Sequence, residues 1–514
     1  MVLYHVVSSY HLLSAMICSQ LHEEKSVLLC SEWIVQKFPQ IEELHHFFQK
    51  VICIDSNYRF FHSPDNNIAY FNNAVGDLKR FSKIYSWGSQ FSFGFVLNDL
   101  KLPYIFCEEA AGLLSRPEIL MNIEKKDSLK SKWWELCQEI GAYNGSSPYA
   151  IQKLCNVKAQ ADSFIPDKDI INFDVIAELK ALSAETREKI LSFFNPPRGI
   201  SIPDKSTLLL TQHFSNLLVM SFEEQALLYQ IVEDYFLACE NLIIKPHPDD
   251  LMYYSQLFLK AQIIRERFPS EFLPFILNNQ PYRVATVSST AIYNLRGHYQ
   301  EVFELDTRYE SDFPMTHRYY AALKIAQRIG LDVVCLGANE VLACRLSETL
   351  GEDVPQITTE IPDSNSACVY LIDNVTASGE SGRADVVNLL HSLQAGSCAV
   401  MVNSQDDYCW YNYEEKYLWN DIAPLVLKKT ALKSQSEDFY ASLEDETIYI
   451  YSKDKELLKM AKETAINKEL PHTGIMLENR PLDSRDEKIK MLEGILAATE
   501  NRLLYYIEKE KQEK

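Results

Sequence analysis

Short apolar runs alternate with longer amphipathic stretches through most of the chain. Val2 to Val7 is apolar and β-branched, Ser8-Ser9 can cap the next element, and His11 to Leu21 repeats its apolar residues at helical spacing. Ser26 to Cys30, Lys50 to Asp55, Lys83 to Ser86 and Tyr104 to Cys107 are further strand-like runs, with helical stretches between them. Apolar strands of this length separated by helices predict parallel βαβ units with both sheet faces covered. The pattern predicts one Rossmann-like domain over residues 1–165.

Pro166, Asp167 and Asp169 open a polar stretch, and helical segments then run to the breaker cluster Asn195-Pro196-Pro197-Arg198-Gly199. A second α/β series comes next, predicting a second Rossmann-like domain over 166–330. Its elements are a strand at Thr207 to Thr211, a helix at Phe222 to Ala238, a strand at Leu242 to Lys245, a helix from Pro248 and a strand at Arg283 to Val287. Two such halves predict a ligand in the cleft between them. A third α/β module is expected over 331–475, with strands at Asp332 to Leu336, Cys368 to Ile372, Ser397 to Val402 and Thr447 to Tyr451. The tail, 476–514, reads as a C-terminal helix with Ile489, Leu492, Leu496, Leu503 and Tyr506 at near-heptad spacing. Its apolar stripe is shorter than the ~3–4 heptads of a coiled coil, so packing on its own chain is favoured over a homo-oligomer zipped through it.

Composition narrows the function classes. The 514 residues carry 50 Lys plus Arg against 71 Asp plus Glu, a net charge of −21, which disfavours general nucleic-acid binding. Twelve cysteines are scattered without a CxxC pair, several inside strand-like runs, and are expected to be free buried thiols of a reducing compartment. No basic segment precedes the first apolar run, and no apolar run reaches the ~18 residues of a membrane span. The expectation is a cytoplasmic protein without a transmembrane segment, with peripheral work at the inner face of a membrane left open.

Three strand ends carry candidate chemistry. Lys245-Pro246-His247-Pro248-Asp249-Asp250 follows a strand, and Pro248 suits the first position of a helix. His247 would then stand at a helix start and at the carboxyl end of a parallel strand, where open α/β sheets bind ligands and phosphates. A capping histidine in a tight turn is the plainer alternative. Val287-Ser288-Ser289-Thr290-Ala291 repeats the arrangement with three hydroxyls, more than one helix cap requires. Tyr104 to Cys107 runs into Glu108-Glu109-Ala110-Ala111-Gly112, where a partly desolvated carboxylate could deprotonate a sugar hydroxyl. Ser8-Ser9-Tyr10-His11 also ends a strand and should face the cleft, and Thr211-Gln212-His213 ends the first strand of the second domain. Asp249-Asp250 and Asp406-Asp407 are adjacent acids without matching ligands, so no metal site is expected.

In order, the acidic pair, His247-Pro248 and Ser288-Ser289-Thr290 resemble the three short motifs of bacterial sialyltransferases. The opening Tyr4-His5-Val6-Val7-Ser8-Ser9-Tyr10-His11-Leu12-Leu13 is similar to that of glycosyltransferase family 52, the lipooligosaccharide sialyltransferase group. The resemblance covers residues 1 to 325. It implies a GT-B fold, a CMP-activated sialic acid donor, inversion at the anomeric carbon and no metal or other cofactor. Glu108 or Glu109 would be the base, His247 would protonate or neutralise the departing phosphate, and the helix from Pro248 would add its dipole. Ser288, Ser289 and Thr290 would hold phosphate or donor carboxylate oxygens, with Thr211, Gln212 and Ser9 lining the donor pocket. In the family the glycine directly follows the acidic pair, whereas here Ala110 and Ala111 intervene. That leaves the choice of base open, with Glu108 slightly ahead by position.

Two rivals remain at this level. The pocket could take another donor, a UDP-sugar or a CDP-polyol, or the chain could be a non-catalytic scaffold in glycan assembly. The third module adds little. Val333-Val334-Cys335-Leu336-Gly337-Ala338-Asn339 has one glycine where a nucleotide-binding fingerprint has three, and Leu389 to Val402 looks like a degenerate methyltransferase core.

Overall fold

Seven parallel strands form the first sheet: β1 (Val2–Val6), β2 (Ser26–Ser31), β3 (Lys50–Ile54), β4 (Lys83–Ser86), β5 (Tyr104–Cys107), β6 (Ala150–Cys155) and β7 (Ile170–Asn172), in the order β3-β2-β1-β4-β5-β6-β7. This is a computed structural model; it describes residues 1–464 apart from 23, 56–63, 127–132, 218, 238–240, 251, 253, 306–315, 339, 352, 362–365, 373–387, 404–424 and 436–439. β1 and β2 are buried along their whole length, as expected of strands covered on both faces. The helix Ser9–Gln20 starts on Ser8, whose hydroxyl accepts from the His11 amide at 3.2 Å, as the sequence suggests. β6 and β7 carry the sheet past residue 165.

A second parallel sheet holds β8 (Thr207–Leu210), β9 (Leu242–Lys245), β10 (Gln262–Ile263), β11 (Arg283–Val287) and β12 (Glu301–Leu305), in the order β10-β9-β8-β11-β12. Together the two sheets make the GT-B-type pair of Rossmann-like lobes that the sequence predicts. One apolar core serves both, running from Tyr4, Leu28 and Ile105 to Leu208, Ile243 and Val284. The helix Ala184–Phe194 bridges them: Phe38 of the first lobe meets the Phe194 ring at 5.0 Å, and Phe194 meets Phe272 of the second at 5.2 Å.

The chain divides into two compact units, and the division cuts across the expected order. Residues 219–240 group with residues 306–476, not with the second lobe between whose segments they lie. The helix expected at Phe222 to Ala238 is an α-helix over Phe222–Ile231 that continues as a π-helix over Val232–Leu237. It is apolar on nearly every side, from Ala226 to Tyr229 and again from Tyr235 to Leu237, so it needs neighbours all round. The Tyr235 ring packs edge-on against Tyr320 at 4.8 Å, and its carbonyl accepts from Thr349 Oγ1 at 3.1 Å.

The third sheet of this unit has β13 (Val333–Leu336), β14 (Ile357–Thr358), β15 (Val369–Ile372), β16 (Cys398–Asn403), β17 (Leu425–Gln435) and β18 (Tyr440–Tyr451). β14-β13-β15-β16 are parallel, and β18 lies antiparallel between β16 and β17. The helix Thr316–Ile329, with Tyr319, Leu323 and Ala326 buried, belongs to this unit, which therefore begins before residue 331. The helix expected over 476–514 lies outside the described residues. All ten cysteines among the described residues are free, and no described helix is long and apolar enough to cross a membrane.

Candidate active site

The order of the second sheet makes β9, β8 and β11 neighbours, so their carboxyl ends bring three sequence-distant segments to one edge. His247 follows β9, Thr211-Gln212-His213 follow β8, and Ser288-Ser289-Thr290 follow β11. Successive connections leave β8 on opposite sides, which makes the gap between β8 and β11 a topological switch point, where α/β sheets bind ligands. The rings of His213 and His247 stack there with centroids 3.9 Å apart and planes 21° apart. The Thr211 hydroxyl accepts from the His247 amide at 3.3 Å and meets Asp250 Oδ2 at 3.1 Å.

The helix expected from Pro248 is not formed. Residues 247–250 make a turn, and the nearest described helix is Tyr254–Leu257. Side chains of the segment take up its amides and hold the turn: His247 Nδ1 accepts from Asp249 N at 3.1 Å and Asp250 Oδ1 from Met252 N at 3.1 Å. Asp250 Oδ2, in the buried interior, also accepts from Tyr254 Oη at 2.5 Å. His247 therefore has no helix dipole behind it, and Pro248 serves the turn. After β11, Ser288 adopts a left-handed backbone with φ 65°, a conformation costly for a residue with a Cβ and concentrated at functional sites. Thr290 precedes a five-residue helix without capping it through its side chain.

Hydrogen bonding assigns the tautomers. Gln212 Oε1 accepts from the His213 amide at 3.1 Å, so it must also accept from His213 Nδ1–H at 2.7 Å, leaving Nε2 as the lone-pair nitrogen of the neutral ring. His247 uses Nδ1 as an acceptor and so carries its proton on Nε2. Burial lowers the pKa of His213 to about 4 and that of His247 well below its ordinary value, the latter helped by the His213 ring. Burial pushes Asp249 up, but the Lys37 ammonium and the two histidines override it and hold the carboxyl at about 2. Lys37 Nζ lies 2.5 Å from Asp249 Oδ1, tying the first lobe to the second. His213, His247 and Asp249 bring one ligand atom each within 4.8 Å of one another. Asp249 thus has the neighbouring ligands that the sequence did not place beside it, while Lys37 on its carboxylate would compete with a metal ion there.

In the first lobe the two glutamates have different surroundings. Glu108 is 3% exposed and caged: Oε1 accepts from Asn156 N at 2.7 Å, while Oε2 accepts from Gln160 Nε2 at 2.8 Å and Gly112 N at 3.1 Å. Burial raises its pKa to about 7 in spite of these donors. Gly112, at φ 81°, is needed here, since a Cβ would meet the Ala159 carbonyl at 2.6 Å and the Tyr293 ring at 2.9 Å. Glu109 is half-buried, with Oε2 3.5 Å from His11 Nε2, and the same nitrogen lies 2.7 Å from the Glu109 carbonyl oxygen. Ser9 is buried in the first turn of its helix, where Ser8 is the cap.

The acidic segment is knit to the segment after β11. Asn156, which donates its amide to Glu108, donates Nδ2 to Asn294 Oδ1 at 2.9 Å, and Asn294 Nδ2 donates to the buried Glu271 at 2.9 Å. Arg116 lies over the Tyr293 ring at 4.3 Å. Lys37, Asn156, Gln160 and Asn294 escaped the sequence reading. An amide or a lysine in a polar stretch has no pattern that announces a partner in another lobe.

The model of glycosyltransferase family 52 matches residues 121–305. That span contains His213, His247 and Ser288 to Thr290, and stops short of Glu108 and Glu109. An uncharacterized protein of Haemophilus influenzae is 36% identical over 87 residues, which are 17% of this chain and 28% of that protein, so the match spans well under half of the relative's length. Among solved structures, the glycosyltransferase of kitacinnamycin is similar over 70% of this chain and 87% of its own, at 11% identity and a TM-score of 0.34. Spinosyn forosaminyltransferase is similar over 62% and 84%, at 12% identity and a TM-score of 0.33. Likenesses of that degree carry no weight for function. The resemblance read from the motifs thus meets an independent match of residues 121–305, which contain the stacked histidines, to the model of glycosyltransferase family 52.

Proposed function

We propose that the chain is an inverting, metal-independent glycosyltransferase that moves sialic acid, or a related nonulosonate, from a CMP-sugar to a hydroxyl of a bacterial surface glycan. The observation that carries this reading is the His213–His247 stack at the switch point of the segment that matches family 52, beside three hydroxyls after β11. Two neutral, half-buried imidazoles are poised to take up protons when a phosphate dianion arrives, because its charge offsets the desolvation that holds them neutral. His247 donates through Nε2–H, and Ser288, Ser289 and Thr290 offer O–H groups to phosphate or carboxylate oxygens.

Glu109 is the better base. Glu108 already has both oxygens taken by buried donors and acts as the post that shapes the Gly112 turn. In the reaction, Glu109 takes the acceptor hydroxyl proton as that oxygen bonds to the anomeric carbon. The bond from that carbon to the phosphate oxygen breaks, and the departing CMP phosphate is neutralised by protonated histidine.

Calorimetry with CMP, CDP, UDP and GDP on wild type and His247→Ala tests the reading. CMP alone should bind, at least tenfold more weakly to the variant. In wild type its affinity should fall as pH rises from 6 to 8, since binding takes up protons. Selective UDP binding would transfer the reading to a UDP-sugar, CDP with little CMP would favour a polyol phosphate donor, and no binding at all would favour the scaffold.

A further inference from the structure

The free cysteines among the described residues are not alike. Most are shut inside the fold, where burial raises the thiols of Cys18, Cys107, Cys155 and Cys398. Two stand face to face. Cys30 and Cys53 are register partners on the neighbouring parallel strands β2 and β3, each the last residue but one of its strand. Partners in a parallel ladder point to the same side of the sheet, with their strands about 4.8 Å apart. Cysteines can be joined when their Cα atoms stand about 4.4–6.8 Å apart, so a bond here needs no rearrangement of the backbone. The Cys30 thiol already reaches across, donating at 3.6 Å to the carbonyl of Ile52, the residue before Cys53.

Their surroundings give the two thiols different roles. Cys30 is fully buried and Cys53 exposed. A hydrogen bond between the two sulfurs raises the pKa of Cys30 and lowers that of Cys53, in spite of the desolvation of Cys53 and the nearby carboxylates of Glu32 and Asp55. Cys344, the other exposed thiol among the described residues, is instead pushed up by desolvation and by Glu340 and Glu348. An exposed thiol of lowered pKa beside a buried second thiol is the arrangement that meets an oxidant and then resolves the product.

We infer that Cys53 and Cys30 form a reversible thiol–disulfide pair, oxidised by a small uncharged peroxide. The Cys53 thiolate attacks one oxygen of hydrogen peroxide, the O–O bond breaks, and the other oxygen leaves as water once it takes a proton. Cys53 is then a sulfenic acid. The Cys30 sulfur attacks the Cys53 sulfur, the S–O bond breaks, and a second water leaves with the Cys30 proton. Two thiols have lost two electrons to one peroxide. Glu32 and Asp55 would turn away an anionic oxidant such as glutathione disulfide. Neither cysteine belongs to the proposed transfer site, so the inference stands apart from the transferase reading.

Peptide mapping by mass spectrometry after treatment with hydrogen peroxide tests it on the full chain. Cys30 and Cys53 should be recovered joined, and dithiothreitol should return both to thiols. Cys30→Ala should leave Cys53 as a sulfenic acid that dimedone traps, and Cys53→Ser should leave Cys30 reduced. In the reduced wild type at neutral pH, iodoacetamide should label Cys53 about tenfold faster than Cys344. Both cysteines left reduced, or Cys53 oxidised past the sulfenic acid with Cys30 still a thiol, would overturn the inference. Faster bonding with glutathione disulfide than with peroxide at equal concentration would overturn the choice of oxidant.

Discussion

Glu108 and Glu109 are adjacent in sequence and opposite in circumstance, and the difference is measurable. Glu109→Gln should fold as wild type and keep nucleotide affinity, yet lower transfer by about 10²- to 10⁴-fold, the contribution of a positioned base. Glu108→Ala should instead lower the melting temperature, because the amides of Asn156 and Gly112 and the Gln160 side chain would be left buried without an acceptor, at ~1–3 kcal/mol each. Glu108 also has a pH signature. Its folded pKa, about 7, stands above the ordinary 4.5, so the folded state holds the proton more tightly. The stability this adds is full below pH 4.5 and is lost as pH rises toward 7. Thermal melts of wild type and Glu108→Gln between pH 5 and 7.5 should converge toward the higher pH if wild type is the more stable below it; parallel curves would show that burial does not raise the carboxyl.

At the scale of elements, the site is made of strand ends and the turns attached to them. The turn after β5 depends on Gly112, whose left-handed backbone and crowding by Ala159 and Tyr293 leave no room for a side chain. Gly112→Ala should lower stability by more than the ~1–2 kcal/mol of a left-handed residue alone, because the clash with backbone adds to it; a melting temperature within a degree of wild type would show that the turn can relax. The turn after β9 teaches a different lesson. Proline at a strand end suits a helix start, but Asp249 and Asp250 hold amides and partners that a helix would have withdrawn. The anion binding proposed for His247 thus rests on a stacked ring and a half-buried setting.

At the scale of the whole molecule, residues 219–240 leave the second lobe and join the unit that starts at 306. A chain cut at 330 therefore would not release two intact lobes. It would strand a helix whose Leu227, Leu228, Tyr235 and Phe236 are buried. Such a truncation is expected to be recovered in the insoluble fraction to a greater extent than the full chain. A soluble, cooperatively melting truncate, judged by gel filtration and calorimetry, would show that the lobes do not need the third sheet.

Much of this arrangement was legible from the chain alone. The strands β1, β2, β4, β5 and β11, and the core strands of the third sheet, follow from short apolar runs, because a parallel strand covered on both faces must be apolar throughout. The three motifs were visible because small and polar residues interrupt the pattern where strands end. Which of them touch was decided only by the tertiary structure. Strand order brings His213 to His247 and sets both beside Ser288, and lobe packing supplies Lys37 to Asp249 and Asn156 to Asn294. Burial then separates two neighbouring glutamates into a post and a base candidate. Periodicity records which residues avoid water; it carries no record of which distant polar groups meet once water is gone, and the chemistry proposed for this protein depends on those meetings.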